Sequence, residues 1–236
     1  MLHIYSKNKI KTNKALFLAI GEAFRQGRRT TIRGTPESYE GQKAASFSHV
    51  NFIEFLEKKH NIKIDVIINS YNTQYDSDLI NWYNRNLLKY KLRKNLIGWF
   101  KIYETGIDLI ENTNYDFIFV HRIDILFKSY LNKVFKIESQ KVIYPTLVNG
   151  WGNIRPNDTM MFVPQKFFNL VFSKKLKCNH YTLETMKRSF LAKNVDYFMK
   201  GVWNSDTSKQ WNPLYRIVNR FEPKSPSWKT SFIRML

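Results

Sequence analysis

Three short apolar runs constrain this chain more than anything else in it: residues 15–20 (ALFLAI), residues 62–69 (IKIDVIIN) and residues 117–120 (FIFV). Each is short for a helix and too continuous for a strand with one wet face. Such runs read as strands covered on both faces, which is the environment of a parallel sheet. Propensity alone also allows a helix over 14–26. Six apolar residues in a row with no polar face favour the strand.

Amphipathic segments separate these runs. A helix is expected over 42–60, where Ala44, Ala45, Phe47, Val50, Phe52, Ile53 and Phe55 supply an apolar face and EKKH closes the C-terminus with positive charge. A second is expected over 78–90, capped by Asp76 or Ser77. A third is expected over 94–111, where Leu96, Trp99, Phe100, Tyr103, Ile107 and Ile110 recur every three or four residues. Further strands are expected at 141–145 and 159–163, helices at 164–172 and 182–199, and an irregular aromatic tail over 201–228. Strands alternating with helices define an α/β fold with a mostly parallel central sheet flanked by helices. Ligands of such sheets bind beyond the carboxyl ends of the strands.

Cys178 is the only cysteine, which excludes an intrachain disulfide framework and a cysteine-based zinc site and suits a reducing, intracellular compartment. No stretch has the apolar length of a membrane span, and the N-terminus lacks a signal-peptide core. The net charge of +19 calls for something acidic nearby: a phosphorylated small molecule, an anionic membrane surface or nucleic acid. Against nucleic acid, no known binding motif is present, and the aromatics sit in apolar runs rather than interleaved with Lys and Arg. Short basic runs such as KYKLRK (89–94) read as solvated surface.

The third strand ends in His121-Arg122-Ile123-Asp124. By alternation Arg122 and Asp124 share one face, and His121 and Ile123 the other. A carboxylate here faces the crevice, so its removal is expected to spare the fold. Asp124 can offer oxygens to a divalent metal, and Arg122 can pair with phosphate. The two can also close on each other as a salt bridge, or the carboxylate can cap a turn.

The order of helix, short turn, YDFIFV and Arg-x-Asp resembles nucleotide-sugar glycosyltransferases of the GT-A fold. There a hydrophobic strand ends in Asp-x-Asp, whose carboxylates hold a metal on the donor diphosphate. Here Arg122 replaces the first Asp, as in small glycosyltransferase-like proteins of bacterial polysaccharide clusters and large viruses. The similarity spans residues 15–220 and includes ALFLAIGEAFR, KIDVIINSY, NDTMMFVP and WNPLYRIVNR.

The resemblance implies one GT-A-like domain over 1–236. Residues 15–125 would form the nucleotide-sugar half, and 126–236 the acceptor half with its tail. It implies a UDP- or GDP-sugar donor, a glycan acceptor, and Mn2+ or Mg2+ unless Arg122 neutralises the diphosphate alone. Gly21, Glu22 and Arg25 would meet the nucleotide, with Arg28, Arg29 and Arg33 further along the same loop. Asn69, Ser70 and Tyr71 would end the second strand facing the crevice, with Tyr71 stacked on the base, unless they only start a loop. Asp158, after Asn157, would be the second carboxylate, taking the acceptor proton in an inverting reaction. Residues 149–158 would form a mobile loop with Trp151 on a sugar face. His180 would join Asp124 as a metal ligand, and Asp206 is a further candidate. A non-catalytic sugar-binding or virion-associated protein on the same fold is the competing reading, beside a basic nucleic-acid binder.

Overall fold

The computed structural model describes residues 13–26, 32–95, 97–111, 114–137, 140–150, 153–156, 159–172, 195–199, 202–204, 212–218 and 232–234. In chain order the elements begin with β1 (Lys14–Ile20), β2 (Arg25–Gln26), β3 (Ile32–Arg33), α1 (Pro36–His60) and β4 (Lys63–Tyr71). Then come α2 (Asp76–Tyr83), β5 (Leu87–Arg93), α3 (Gly98–Ile107), β6 (Phe117–Arg122), β7 (Ile125–Phe127) and α4 (Tyr130–Val134). They continue with β8 (Val142–Tyr144), β9 (Leu147–Gly150), β10 (Asn153–Pro156), β11 (Met160–Pro164), a 3-10 turn (Gln165–Phe167) and α5 (Phe168–Val171). The last are β12 (Val195–Tyr197), β13 (Val202–Asn204), β14 (Tyr215–Ile217) and β15 (Phe232–Arg234).

Seven strands form the central sheet in the order β12-β8-β11-β6-β1-β4-β5. β1 pairs in parallel with β4 and β6, β4 with β5, and β8 with β12, while β11 runs antiparallel to both its neighbours. This is the α/β, mostly parallel architecture expected from the apolar runs. Along β1, Ala15, Phe17 and Ala19 face a core shared with α1 and α2. Leu16, Leu18 and Ile20 face a second core shared with α3 and α5. All six are fully buried, which is why no polar residue interrupts the run.

Several boundaries differ from the sequence expectation. α1 starts at Pro36 rather than 42, because Thr35 caps it: Ser38 N donates to Thr35 Oγ1 at 3.2 Å, Pro36 takes the first turn, and Glu37 complements the dipole. Its buried face is Ser38, Gln42, Ala45, Ser46, His49, Phe52, Ile53 and Leu56, while Ala44 and Phe47 point outward. α2 stops at Tyr83, and LLKYKLR becomes β5. In it Lys89 and Lys91 flank the exposed Tyr90 and follow the exposed Leu88, and such charges discourage pairing of a free sheet edge. α3 is shorter than 94–111. β4 runs on through Tyr71, so Asn69, Ser70 and Tyr71 end the strand as expected, and the loop starts after Tyr71 rather than at Ser70. Residues 195–197, expected to end a helix, are β12, and the tail contributes β13, β14 and β15. β9 and β10 pair antiparallel where a loop was expected. Among the described residues no helix is long and apolar enough to cross a membrane.

Candidate active site

From β1 the chain moves outward on one side to β4 and β5, then returns to place β6 on the other side of β1. The sheet therefore has a topological switch point between β1 and β6, and the crevice beyond their carboxyl ends is the favoured ligand site of an open α/β sheet. Ile20 at the end of β1 lies in register with Arg122 at the end of β6. The Arg-x-Asp element stands at that crevice.

The two side chains close on each other. Arg122 Nε donates to Asp124 Oδ1 at 2.8 Å and Nη2 to Oδ2 at 2.5 Å, a two-pronged fork. The Arg122 side chain is 13% exposed and that of Asp124 2%. The carboxylate thus lies under its guanidinium rather than open to the crevice, which corrects the expectation that removing it would spare the fold. The backbone is pinned on three sides. Arg122 N donates to Thr159 O, Ile123 N to Ile20 O, and Val218 N to Asp124 O, each at 2.9 Å.

His121 points to the opposite face, as alternation requires. Its ring meets His49 of α1 at 4.4 Å between centroids, edge to face. His121 Nδ1 lies 3.0 Å from Arg122 O, and His49 Nε2 lies 2.6 Å from Ile125 O, so both nitrogens act as donors to carbonyls. His49 Nδ1 then accepts from the Tyr83 hydroxyl at 2.5 Å. Burial holds both imidazoles neutral, His49 well below the usual range and His121 down to about 4.

Gln42 ties the first loop to the Arg-x-Asp turn. Phe24 N donates to its Oε1 at 3.2 Å, and its Nε2 donates to Ile123 O at 2.9 Å. It is fully buried. Gln42→Leu strands one amide and one carbonyl, each costing about 1–3 kcal/mol when buried without a partner. The variant is expected to lose about 2 kcal/mol or more of stability in urea titration; a loss below about 0.5 kcal/mol would show that the loop does not depend on this bridge. Sequence reasoning passed over Gln42 and His49. Their signal was their spacing: they sit seven residues apart on the stripe of Ala45, Phe52 and Leu56, where a buried polar group must have partners.

The loop after β1 is tightly built. Gly21 has φ 124°, a conformation that favours glycine, and its N–H donates to Asn69 O at 3.1 Å. Glu22 and Arg25 pair with each other at 3.2 Å. Ala23 N donates to Ser70 Oγ at 3.0 Å. Phe24, at φ 53°, is held by packing against Tyr39, Tyr75 and Trp82. Tyr71 is 2% exposed; the Arg33 guanidinium covers its ring at 4.7 Å, and its hydroxyl accepts from Ile97 N at 3.3 Å. Its ring face is already taken by Arg33 rather than open to a base.

Gly21, Glu22, Arg25, Ser70, Tyr71, Arg122 and Asp124 are thus distributed over the carboxyl ends of β1, β4 and β6. Asp158, Trp151 and His180, with Asn157, Asp206, Arg28 and Arg29, lie outside the described residues. Among the described residues no group of three or more His, Cys, Asp or Glu is placed to hold a metal. Asp124 alone, with both oxygens engaged by a cation, does not fit a Mn2+ or Mg2+ site, which needs several oxygen ligands. A cavity of about 580 Å³ opens at the other end of the sheet, lined by Lys14, Lys63, Asp65, Lys89, Glu111 and Tyr115 among others. Its charges pair with one another, Lys63 with Asp65 at 3.7 Å and Lys89 with Glu111. It lies at the amino ends of β1 and β4, away from the switch point.

No family model and no curated protein sequence matches the chain. Among solved structures it is similar to Drosophila β-1,4-galactosyltransferase 7 in complex with manganese, UDP-Gal and xylobiose, at 10% identity and TM-score 0.45, covering 92% of this chain and 77% of that one. It is similar to a 4-diphosphocytidyl-2C-methyl-D-erythritol synthase from Anaerococcus prevotii, at 13% identity and TM-score 0.45, covering 78% and 87%. It is also similar to a glycosyltransferase involved in glycosylating the major capsid protein of PBCV-1, at 8% identity and TM-score 0.42, covering 78% and 79%. At these identities and scores, what those proteins bind says nothing of what this chain binds.

Proposed function

We propose that the chain is a single-domain glycosyltransferase that moves a sugar from a nucleotide-diphosphate donor to a glycan hydroxyl. The observation that carries this reading is the Arg122–Asp124 fork at the switch point of a mostly parallel sheet. Negative charge builds on the diphosphate as the glycosidic bond breaks, and a guanidinium held rigid by a buried carboxylate can stabilise it without reorganising. In this reading Asp124 holds Arg122 in place, and Ser70 and Gln42 shape the loop carrying Gly21, Glu22 and Arg25. Asp158 is the proposed acceptor base, with Trp151 on a sugar face. No step is routed through a metal. The charge of +19 suits a phosphorylated donor and is compatible with contact to an anionic membrane.

The test is a donor-hydrolysis screen over UDP- and GDP-sugars, followed by calorimetry with the matching nucleoside diphosphate. Arg122→Ala is expected to weaken diphosphate binding about ten- to hundred-fold, the range of one charge-assisted contact, and Arg122→Lys to restore part of it. Unchanged affinity and turnover in Arg122→Ala would overturn the reading. So would a wild-type protein that hydrolyses no nucleotide sugar and binds no nucleoside diphosphate.

A further inference from the structure

A second basic corner lies at the outer end of the same sheet edge. Tyr71 ends β4, and Arg93, at the end of β5, is its register partner, so both side chains leave the sheet on the α3 face. Arg33, at the end of the β2–β3 hairpin, lays its guanidinium on the Tyr71 ring. Arg33 Nη1 and Arg93 Nε and Nη2 are closed to water and have no hydrogen-bond partner among the described residues. No carboxylate pairs with either side chain among the described residues, unlike Arg25, Arg85 and Arg122, which each hold one. α3 starts at the same corner without a side-chain cap, and the amide of Ile97 just before it is bonded to the Tyr71 hydroxyl.

Buried guanidinium nitrogens without partners are costly, and proteins keep such groups where a ligand completes them. Tyr71 thus carries the Arg33 guanidinium on its ring and has Arg93 as its neighbour in the sheet. We propose that Arg33 and Arg93 form a binding site for a phosphate-class oxyanion, distinct from the Arg122 crevice. Three strand spacings separate β6 from β5, so the two sites lie roughly 14 Å apart. Donors this recessed match a compact oxyanion or phosphoryl group, admitted by a shift of the long arginine side chains, rather than a flat anionic surface. The site goes beyond the proposed transfer reaction and does not depend on it.

Inorganic phosphate is the probe, titrated at constant ionic strength and followed by calorimetry and thermal melting. Arg33→Gln and Arg93→Gln are each expected to weaken phosphate binding about ten-fold or more. Arg85→Gln, at an exposed ion pair with Glu54 and Glu57 outside both sites, is expected to leave it within about two-fold. Arg93→Met supplies a readout that a structural arginine would move the other way. In phosphate-free buffer it should melt above wild type, because it removes unsatisfied buried nitrogens, and added phosphate should raise wild type while leaving the variant in place. Three results overturn the proposal: no phosphate binding by the wild type, binding lost in Arg85→Gln but kept in Arg33→Gln and Arg93→Gln, or an Arg93→Met protein that melts below wild type without phosphate. Nucleoside diphosphate affinity in the same variants reports separately on the Arg122 crevice.

Discussion

Asp124→Ala is expected to lower the stability of the protein by about 3–5 kcal/mol, the usual cost of removing one partner from a buried ion pair. The side chain is almost wholly buried and receives two hydrogen bonds from Arg122, whose own guanidinium is largely covered. Without the carboxylate, a largely covered positive charge at the end of β6 loses its two-pronged partner. Asp124→Asn keeps the shape and one acceptor oxygen but loses the charge, so its loss should fall between wild type and Ala. The double variant Asp124→Ala with Arg122→Met should recover much of the stability, since an apolar pair can replace a buried ion pair at little cost. It should nonetheless bind diphosphate about ten- to hundred-fold more weakly, as Arg122→Ala does. Urea titration of the wild type, Asp124→Ala, Arg122→Met and the double variant gives a complete double-mutant cycle. A loss below about 1 kcal/mol in Asp124→Ala would reduce the pair to a surface salt bridge and remove the rigid guanidinium on which the proposed reaction rests.

The second large effect is a dependence of stability on pH through His49 and His121. Both imidazoles are held below their ordinary range by burial, His121 to about 4. The unfolded chain therefore binds protons that the folded chain refuses. Stability from this source is complete above the ordinary histidine value near 6.5 and falls as the pH drops towards 4. The His121 shift alone amounts to on the order of 3 kcal/mol across that window. His49 adds to it in the same direction, since a second proton would meet the first across a ring contact of 4.4 Å. The groups facing the pair are the Tyr83 hydroxyl, Phe17, Phe119 and Phe127 and the carbonyls of Arg122 and Ile125, none of which is a carboxylate that could accept the new charge. Urea midpoints measured between pH 7.5 and 4.5 should fall steeply in the wild type and much less in His121→Phe. Parallel slopes in the two proteins would assign the acid sensitivity elsewhere. Because His121 precedes Arg122, donor binding should decline over the same interval.

The main strands were legible because burial on both faces leaves a direct imprint: a run such as ALFLAI can be nothing but covered. The Arg-x-Asp element was legible for the complementary reason, since charged residues at the end of such a run must lie at its mouth. LLKY, the first half of β5, was misread as the end of a helix because two consecutive leucines after an amphipathic helix look like its next turn. Only the free edge of β4, waiting for a partner, selects the strand. The start of α1 could have been read from Thr35, Pro36 and Glu37, whose capping chemistry is local.

Local periodicity and composition thus determined the α/β class, the placement of β1, β4 and β6, the opposite facing of His121 and Arg122, and the strong positive charge. Tertiary structure alone decided the rest. It set the strand order that creates a switch point between β1 and β6, the antiparallel course of β11, and the closure of Arg122 onto Asp124. It also set His49 against His121 and Arg33 over Tyr71. Periodicity reports which face of an element is dry, whereas a partner is chosen by segments tens of residues away: α1 brings Gln42 to Ile123 and His49 to Ile125, 81 and 76 positions along the chain. Whether a charged side chain meets solvent, a ligand or another side chain depends on that long-range choice, and no window of neighbouring residues contains it.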